Sequence, residues 1–233
     1  TDNCIENICL TEGLYYICIF YKTDRVIMLS QNNLRHLNQQ FKGIPPEEII
    51  SWAALRSKRP VITSNFKPYS ASLLHAVTEI LPDIPVIWCD TGYNTPQTYR
   101  FADNLISQLG LNIKIYTPLQ TTAYRDAIMG MPNIDDPRHR EFTDQVKLEP
   151  FRRAMFDFNP DVWFTNLRKG QTAFRDTLDI LSIDRQGRLK VSPFYHWTDT
   201  QLECYLQENE LSNEFKYFDP TKVLENRECG LHL

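Results

Sequence analysis

The chain has 233 residues, with 25 Lys and Arg against 29 Asp and Glu, and a formal charge of −4 at pH 7. This length predicts one large domain or a domain with a small appendage, and the mild acidity argues against a dedicated nucleic-acid binder, which usually carries a basic face. The sequence has no apolar run near the roughly 20 residues that cross a bilayer and no secretory signal pattern, so we expect a soluble, cytoplasmic protein.

The cysteines further limit the class of protein. There are six: Cys4, Cys9, Cys18, Cys89, Cys204 and Cys229. They show no Cys-x-x-Cys spacing of the kind used in zinc and redox sites, and a disulfide scaffold would place six cysteines in a much shorter chain. Most of them are therefore expected to be buried, inert thiols, and the exception is Cys229, which stands among charged residues near the end of the sequence.

The first part of the chain differs from the rest. Residues 14–21 and 26–29 are rich in β-branched and aromatic residues and flank a polar stretch at 22–25, which predicts a hairpin. From Asn32 the pattern is helical and polar. A second helix is predicted where Pro45, Pro46 and two acidic residues precede an apolar face.

After Pro60 the pattern alternates between short strands and helices. The predicted strands are 61–65, 86–89, 112–116 and 162–165, and the predicted helices are 70–81, 96–109, 122–129, 150–158 and 199–209. A loop is predicted at 130–137, and a hairpin over 178–191 that turns at Gln186 and Gly187. This order predicts an α/β fold with a mostly parallel twisted sheet and helices on both faces. Ligands bind such sheets beyond the carboxyl ends of the strands, so the segments after strands one, two and four are the candidate site.

The segment after the first strand combines hydroxyls, an ammonium and a helix start. Ser64, Phe66 and Lys67 lead into the helix that begins at Ser70. Such a combination can hold a phosphate, although it matches neither a dinucleotide-binding loop nor a Walker A loop. The alternative is an ordinary turn in which Ser70 caps the helix.

The segment after the second strand reads Asp90, Thr91, Gly92, Tyr93. The carboxylate can accept hydrogen bonds from ribose hydroxyls or an adenine amine, and the glycine allows a ligand close to the backbone. The alternative is a turn that caps the helix beginning at Pro96.

The segment after the fourth strand carries three cations, Arg168, Lys169 and Arg175, together with Gln171. Guanidinium groups bind phosphate or sulfate well. The alternative is a solvated basic face paired with Asp176 and Asp179. Lys147 is a weaker fourth candidate, which taken alone is expected to be a surface lysine.

Near the end of the sequence, Cys229 is followed by Gly230 and His232 and preceded by Arg227. Nearby positive charge stabilises a thiolate, which is the nucleophilic form of cysteine. The alternative is a frayed tail with an incidental cysteine. The other histidines, His36, His75, His139 and His196, lack metal-ligand spacing, so no metal site is predicted, and Trp88, Trp163 and Trp197 are expected to serve packing.

These segments, in this order, resemble the phosphoadenosine phosphosulfate (PAPS) reductase family. The resemblance is carried by Glu228-Cys-Gly-Leu-His232, by Asp90-Thr-Gly-Tyr93 with Pro96-x-Thr-Tyr-Arg-Phe101, by Lys147-x-Glu-Pro150, and by Leu167-Arg-x-x-Gln-x-x-x-Arg175. It extends from about Asn32 to the end of the sequence. It implies an adenine-nucleotide α-hydrolase-like fold. We predict an N-terminal hairpin extension (1–30), a nucleotide-binding domain (31–212) and a mobile C-terminal tail (213–233).

The resemblance also implies a reaction that belongs to sulfate assimilation and cysteine biosynthesis. The Cys229 thiolate would attack the sulfur of PAPS, expel adenosine 3′,5′-bisphosphate and leave a cysteine S-sulfonate, from which thioredoxin or glutaredoxin would release sulfite. Lys147, Arg168 and Arg175 match the family's substrate-contacting basic positions, and His232 matches its histidine after the catalytic cysteine. Family members are commonly dimers, so the resemblance allows a homodimer.

Relatives that reduce adenosine phosphosulfate hold an iron–sulfur cluster through cysteine pairs, which this sequence lacks, so we expect no cluster and no bound cofactor. The chain also departs from the family. Lys67 and Pro68 stand where the first loop has a glycine, the stretch before Cys229 is short, and the hairpin at 14–29 has no counterpart. Two alternatives remain: an ATP pyrophosphatase of the same fold, whose Ser-Gly-Gly-type loop is absent, and a non-catalytic adenine-nucleotide-binding protein.

Overall fold

The computed structural model describes residues 31–222. The chain divides into two units, Thr1–Ser30 and Gln31–Leu233, and the fold described below belongs to the second. The predicted hairpin at 14–29, Cys229 and His232 lie outside the described residues, and the division into 1–30, 31–212 and 213–233 stays a prediction.

A six-stranded sheet forms the centre of the domain. Its strands are β1 (Pro60–Ser64), β2 (Val86–Cys89), β3 (Ile113–Tyr116), β4 (Val162–Phe164), β5 (Leu181–Ile183) and β6 (Leu189–Val191). The spatial order is β3-β2-β1-β4-β6-β5. All neighbouring pairs are parallel except β5 and β6, which are antiparallel. The mostly parallel sheet is therefore confirmed, and the predicted hairpin at 178–191 supplies its last two strands.

Eight α-helices lie in the described part of the chain. They are α1 (Gln31–Phe41), α2 (Pro46–Ala54), α3 (Ser70–Thr78), α4 (Pro96–Leu109), α5 (Thr122–Ile128), α6 (His139–Thr143), α7 (Glu149–Phe158) and α8 (Asp199–Glu208). A π-helical turn (Asp144–Leu148) joins α6 to α7, and a 3₁₀ turn covers Arg175–Thr177. Within residues 31–222, each helix is too short or too polar to span a bilayer.

Helices cover both faces of the sheet because successive strand residues point to opposite sides. On one face, Val61, Ile87 and Trp163 pack against α7 in a buried apolar cluster. On the other, Trp88 contacts Phe66 at 4.8 Å between ring centroids and Tyr99 of α4 at 5.9 Å. This arrangement places the loops that follow the strands along one open edge of the sheet.

The predicted strands and helices agree with the observed ones to within a few residues, with two differences of substance. Helix α6 and the π-helical turn were not predicted, because their polar sequence has no clear apolar period. Ser70 does not cap α3. Instead Tyr69 occupies the cap position with φ 64°, and Ser70 is the first helical residue.

The direction in which successive strands are added to the sheet reverses between β1 and β4. From β1 the chain builds β2 and β3 on one side, and it then returns to add β4 on the other side of β1. At such a switch point the loops after the two central strands separate and leave a crevice. The candidate site lies in that crevice.

Candidate anion-binding site at the switch point of the sheet

A cavity of about 120 Å³ lies at the carboxyl ends of β1 and β4. The loop after β1 contributes Ser64, Asn65 and Lys67 to its wall, and the segment after β4 contributes Asn166 and Arg175. This volume accommodates a phosphate or sulfate group with a few waters, since one water takes about 30 Å³ of liquid. The cavity is therefore large enough for one such group and too small for a whole nucleotide.

The loop after β1 has strained backbone conformations on both sides of Lys67 in the sequence. Phe66 has φ 51° and Tyr69 has φ 64°, a left-handed conformation that costs roughly 1–2 kcal/mol for a residue with a side chain. Ser64 Oγ accepts a hydrogen bond from the Phe66 amide at 3.1 Å, and the Tyr69 amide donates to Asn213 Oδ1 at 2.8 Å. Strain of this kind persists only where the surroundings hold it, and it is concentrated at functional sites.

Lys147 enters the cavity from the π-helical turn. Pro150 stands at the second residue of α7 and has no N–H to donate to the carbonyl four residues earlier, so ordinary helical bonding cannot continue through it. The wider turn that results is a feature often found at functional sites. The Lys147 side chain is buried, which makes the surface-lysine alternative wrong.

Asp219 is the partner of Lys147 in the cavity. Lys147 Nζ donates to Asp219 Oδ2, and also to Thr221 Oγ1 at 3.2 Å. The second Asp219 oxygen accepts hydrogen bonds from the amide and hydroxyl of Thr221 at 3.0 and 2.6 Å. Burial by itself would raise the pKa of Asp219, but the Lys147 ammonium and the Thr221 donors outweigh it and lower that pKa.

Asp219 belongs to a segment, residues 213–222, that we call the strap. Tyr217, Asp219 and Lys222 of the strap line the cavity. Asn65 Nδ2 donates to the Tyr217 hydroxyl at 2.6 Å, and the Thr95 hydroxyl donates to the Lys216 carbonyl at 2.6 Å. The strap is thus attached at several points to the loops that follow the strands.

The cavity has an excess of positive charge. Four cations line it: Lys67, Lys147, Arg175 and Lys222. The carboxylate among the described lining residues is Asp219. Net positive potential in a partly enclosed cavity attracts anions and strengthens their binding, because the low dielectric screens charge poorly.

Of the three cations predicted to form a cluster after β4, only Arg175 lines the cavity. Arg175 is buried, lines the cavity and donates from Nη1 to Gln171 Oε1. Arg168 lies behind the cavity wall, with its guanidinium 5.1 Å from the centre of the Tyr69 ring and 2.5 Å from Asp199. Lys169 is exposed to solvent.

The alternative pairing of these cations with Asp176 and Asp179 is not observed in the described contacts. Asp176 Oδ1 accepts from the Gly170 amide at 2.6 Å, and Asp179 lies 3.3 Å from His196. The basic residues therefore do not form a single solvated face.

Two polar atoms in the cavity wall support a ligand-binding role. Ser70 Oγ and Asn166 Oδ1 are buried and have no hydrogen-bond partner among residues 31–222. Buried polar groups in native proteins nearly always have a partner, so an exception in a cavity points to a ligand or bound water.

The Asp90–Tyr93 segment forms a turn beside the cavity and does not line it. Asp90 Oδ1 accepts hydrogen bonds from the Gly92 amide at 2.9 Å, Asn94 Nδ2 at 2.8 Å and the Tyr99 hydroxyl at 2.9 Å. Thr91 is buried, and its hydroxyl accepts from the Tyr93 amide at 3.3 Å. The alternative that this turn caps α4 is wrong, because Thr95 is the cap and accepts from the Thr98 amide at 3.1 Å.

Tyr93 and Gly92 attach this turn to α5. The Tyr93 hydroxyl donates to Asp126 at 2.7 Å, and Gly92 has φ 79°. A Cβ atom at Gly92 would lie 2.3 Å from Thr122 Oγ1, at the start of α5. The glycine is therefore required both by its backbone conformation and by the close approach of α5.

Replacing Gly92 by alanine is expected to destabilise the protein by about 2–5 kcal/mol, which combines the left-handed backbone penalty with overpacking. Urea unfolding measures the change. The control is Gly110→Ala, since Gly110 has φ 59° and open space at its Cβ position, so it should lose only about 1 kcal/mol. Equal losses at both positions would show that contact with Thr122 is not the cause.

Several residues have positions that the sequence did not indicate. Phe66 is fully buried against Trp88 and Phe101 and does not line the cavity. Asp219, Tyr217 and Lys222 were missed, because no local motif marks a strap that returns to the sheet.

The two described cysteines differ from each other. Burial raises the pKa of the Cys89 thiol to about 12, so this thiol is inert as expected. Cys204 is exposed on α8, which contradicts the expectation that it is buried.

His75, Trp163 and Trp197 serve packing. His75 Nδ1 lies 2.8 Å from the Tyr205 hydroxyl, Trp163 is buried, and Trp197 packs edge-on against Phe194 at 5.0 Å. Residues 31–222 bring together no group of three or more His, Cys, Asp or Glu side chains suited to a metal ion.

The fold and the site define an α/β protein with a cation-lined cavity at the switch point of its sheet. A sequence model of the phosphoadenosine phosphosulfate reductase domain matches residues 59–215. The phosphoadenosine 5′-phosphosulfate reductase of Xylella fastidiosa is 38% identical over 184 residues, covering 77% of this chain and 76% of that protein. The corresponding reductase of Xanthomonas oryzae pv. oryzae is 39% identical over 187 residues, covering 77% of this chain and 75% of that protein.

A solved structure agrees with the fold. The PAPS reductase from Candida auris, in a phosphate complex, superposes with a TM-score of 0.70 and 23% identity over 80% of this chain and 90% of that chain. The chain belongs to the phosphoadenosine phosphosulfate reductase family. The resemblance read from the sequence is thereby confirmed.

Proposed function

We propose that this protein reduces PAPS to sulfite and adenosine 3′,5′-bisphosphate, with Cys229 as the nucleophile. The observation that carries the proposal is the cluster of Lys67, Lys147, Arg175 and Lys222 at the switch point, in a chain 38% identical to a protein of that name. PAPS carries several phosphate charges and a sulfonate group, which is the chemistry that such a cavity accommodates.

The first step is a displacement at sulfur. The Cys229 thiolate forms a bond to the sulfonate sulfur, while the bond from that sulfur to the phosphate oxygen breaks. The electron pair goes to the departing adenosine 3′,5′-bisphosphate, and Cys229 is left as an S-sulfonate. The cavity cations stabilise the charge that develops on the leaving phosphate, which is the main electrostatic contribution expected of such a site.

The second step needs a reductant of the dithiol class, thioredoxin or glutaredoxin. One of its thiolates attacks Cys229 Sγ, the S–SO₃ bond breaks, and sulfite leaves with the electron pair. The second thiol of the reductant then resolves the mixed disulfide and restores the Cys229 thiol. No bound cofactor takes part in this scheme.

Cys229 follows the end of the strap closely in the sequence, which supports its role as the nucleophile. Cys229 follows Lys222, which lines the cavity, by seven residues in the sequence. Seven residues span at most roughly 24 Å when extended, a length that allows the thiol to approach an anion beside Lys222. Arg227 and His232 are positioned in sequence to stabilise the thiolate.

The direct test is mass spectrometry of the full chain after incubation with PAPS in the absence of reductant. We expect a sulfonate on the Cys229 peptide, its loss on addition of reduced thioredoxin, and release of sulfite. Cys204 is the internal control, since it is an exposed thiol and should stay unmodified. A chain that binds adenosine 3′,5′-bisphosphate but never acquires the sulfonate would instead be a nucleotide-binding protein without this activity.

A further inference from the structure

Lys67 differs from the other cations of the cavity in its contacts. Lys147 is paired with Asp219, and Arg175 donates to Gln171. The Lys67 ammonium lines the cavity and makes no hydrogen bond or ion pair within residues 31–222. It stands at a loop position where the resemblance expects glycine, so its charge is a feature of this chain.

The charges that act on Lys67 come from several elements around the cavity. Like charges are Arg175 of the 3₁₀ turn, Lys222 of the strap, Arg168 after β4 and Lys147 of the π-helical turn. The carboxylate that lines the same cavity is Asp219, and it is held by Lys147 and Thr221. An additional ammonium in this arrangement is repelled by four cations, and no carboxylate among the described residues contacts it.

We propose that Lys67 binds the anionic nucleotide in a proton-coupled manner: the Lys67 amine takes up a proton when a phosphate or sulfonate group enters the cavity beside it. The proposal rests on the proposed function, from which it takes the ligand. It assigns to Lys67 the role of matching the charge of the cavity to the presence of substrate.

The protonation equilibrium of Lys67 supports this role. Desolvation, followed by repulsion from the neighbouring cations, lowers the pKa of Lys67 to about 7. A bound anion offsets both effects, because it places a negative charge beside the ammonium, and so it raises that pKa again. Between the two pKa values the complex holds one proton more than the free protein.

The sign of the pH dependence follows from this difference. Because the complex binds the extra proton, affinity must fall as pH rises above about 7, by up to about tenfold per pH unit, until the pKa of the complex is reached. The ligand's own phosphates are already ionised at pH 8, since their second pKa is about 6, so they do not produce this dependence. Cys89 does not contribute either, because burial raises the pKa of its thiol to about 12.

The test is isothermal titration calorimetry of the full chain with adenosine 3′,5′-bisphosphate at pH 8 in two buffers of different ionisation enthalpy. The Cys229→Ser background is used throughout, so that the thiol does not titrate. We expect uptake of about one proton per nucleotide bound, and roughly tenfold weaker binding at pH 9 than at pH 8.

Two variants separate the contribution of Lys67 from that of other groups. Lys67→Met keeps the length of the side chain and removes the titrating group, so proton uptake should disappear, and binding at pH 7 should weaken by roughly 10- to 100-fold. Lys67→Arg keeps a permanent charge, so it should bind without proton uptake and with little change between pH 7 and 9. The matched control is Lys169→Met, since Lys169 is exposed on the segment after β4 and should leave proton uptake intact.

The outcomes distinguish this inference from the proposed function. Nucleotide binding without proton uptake, or uptake that survives in Lys67→Met, overturns the inference and leaves the reductase proposal standing. Absence of any binding of adenosine 3′,5′-bisphosphate to the parent chain overturns the proposed function itself.

Discussion

Replacement of Cys229 by serine is expected to abolish sulfite formation from PAPS, with a loss on the order of 10⁴-fold or more, because removing a covalent nucleophile removes the reaction path and not only a contact. Affinity for adenosine 3′,5′-bisphosphate should change by less than about twofold, since the attacking thiolate bonds to the sulfonate sulfur and makes no bond to the departing nucleotide. Sulfite release with reduced thioredoxin and equilibrium nucleotide binding are the two measurements.

The control for this variant is Cys204→Ser. Cys204 is exposed on α8, so its replacement should leave sulfite formation and nucleotide affinity unchanged. Continued sulfite formation by Cys229→Ser would refute the S-sulfonate mechanism. Loss of nucleotide binding in that variant would mean that the thiol belongs to the binding site and not only to the chemistry.

Replacement of Lys147 by methionine is expected to have the largest effect on stability. It leaves the buried Asp219 carboxylate without its ammonium partner, and breaking a buried ion pair from one side costs about 3–5 kcal/mol. Urea unfolding near pH 7 measures the loss. The double variant Lys147→Met with Asp219→Asn should recover most of it, because the buried carboxylate that would be left without its ammonium partner is then also removed.

An exposed ion pair between the same π-helical turn and helix α7 provides the control. Arg152 and Asp144 have side chains that are 59% and 47% exposed, so Arg152→Met should cost less than about 1 kcal/mol. If Lys147→Met were no more destabilising than Arg152→Met, the Lys147–Asp219 pair would not hold the strap in place.

The pH dependence of stability provides an independent check on this pair. The folded protein lowers the pKa of Asp219, so the stabilisation from the pair is fully present above the ordinary pKa of an aspartate, about 3.9, and is lost as pH falls through the lowered value. The double variant should lack this part of the acid sensitivity. An unchanged acid limb in the double variant would show that other carboxylates dominate.

The candidate site illustrates which parts of a site can be read from a sequence. Ser64, Lys67 and Arg175 were predicted because they follow strands whose apolar runs are visible in the sequence, and the structure places them around one cavity. Lys147 was recognised more weakly, because its burial depends on a π-helical turn that no hydrophobic period predicts. The assignment of roles to these residues stays a prediction that the experiments above test.

Other predicted residues show the limit of that reasoning. Phe66 follows β1 as directly as Ser64 does, but its left-handed backbone turns the ring into the core against Trp88. Lys169 is adjacent to Arg168, yet the first is exposed and the second is buried beside Tyr69. Neighbouring positions in a loop can face opposite sides, and sequence alone does not determine the loop conformation.

The sequence by itself determined the order of strands and helices, the parallel character of the sheet and the family, because these depend on local spacing and on short motifs. Only the tertiary structure decided which charged groups share a cavity. Lys147 and Asp219 are 72 residues apart, and Asn65 and Tyr217 are 152 residues apart. Contacts over such separations depend on how the strap returns to the switch point, and no local pattern records that path.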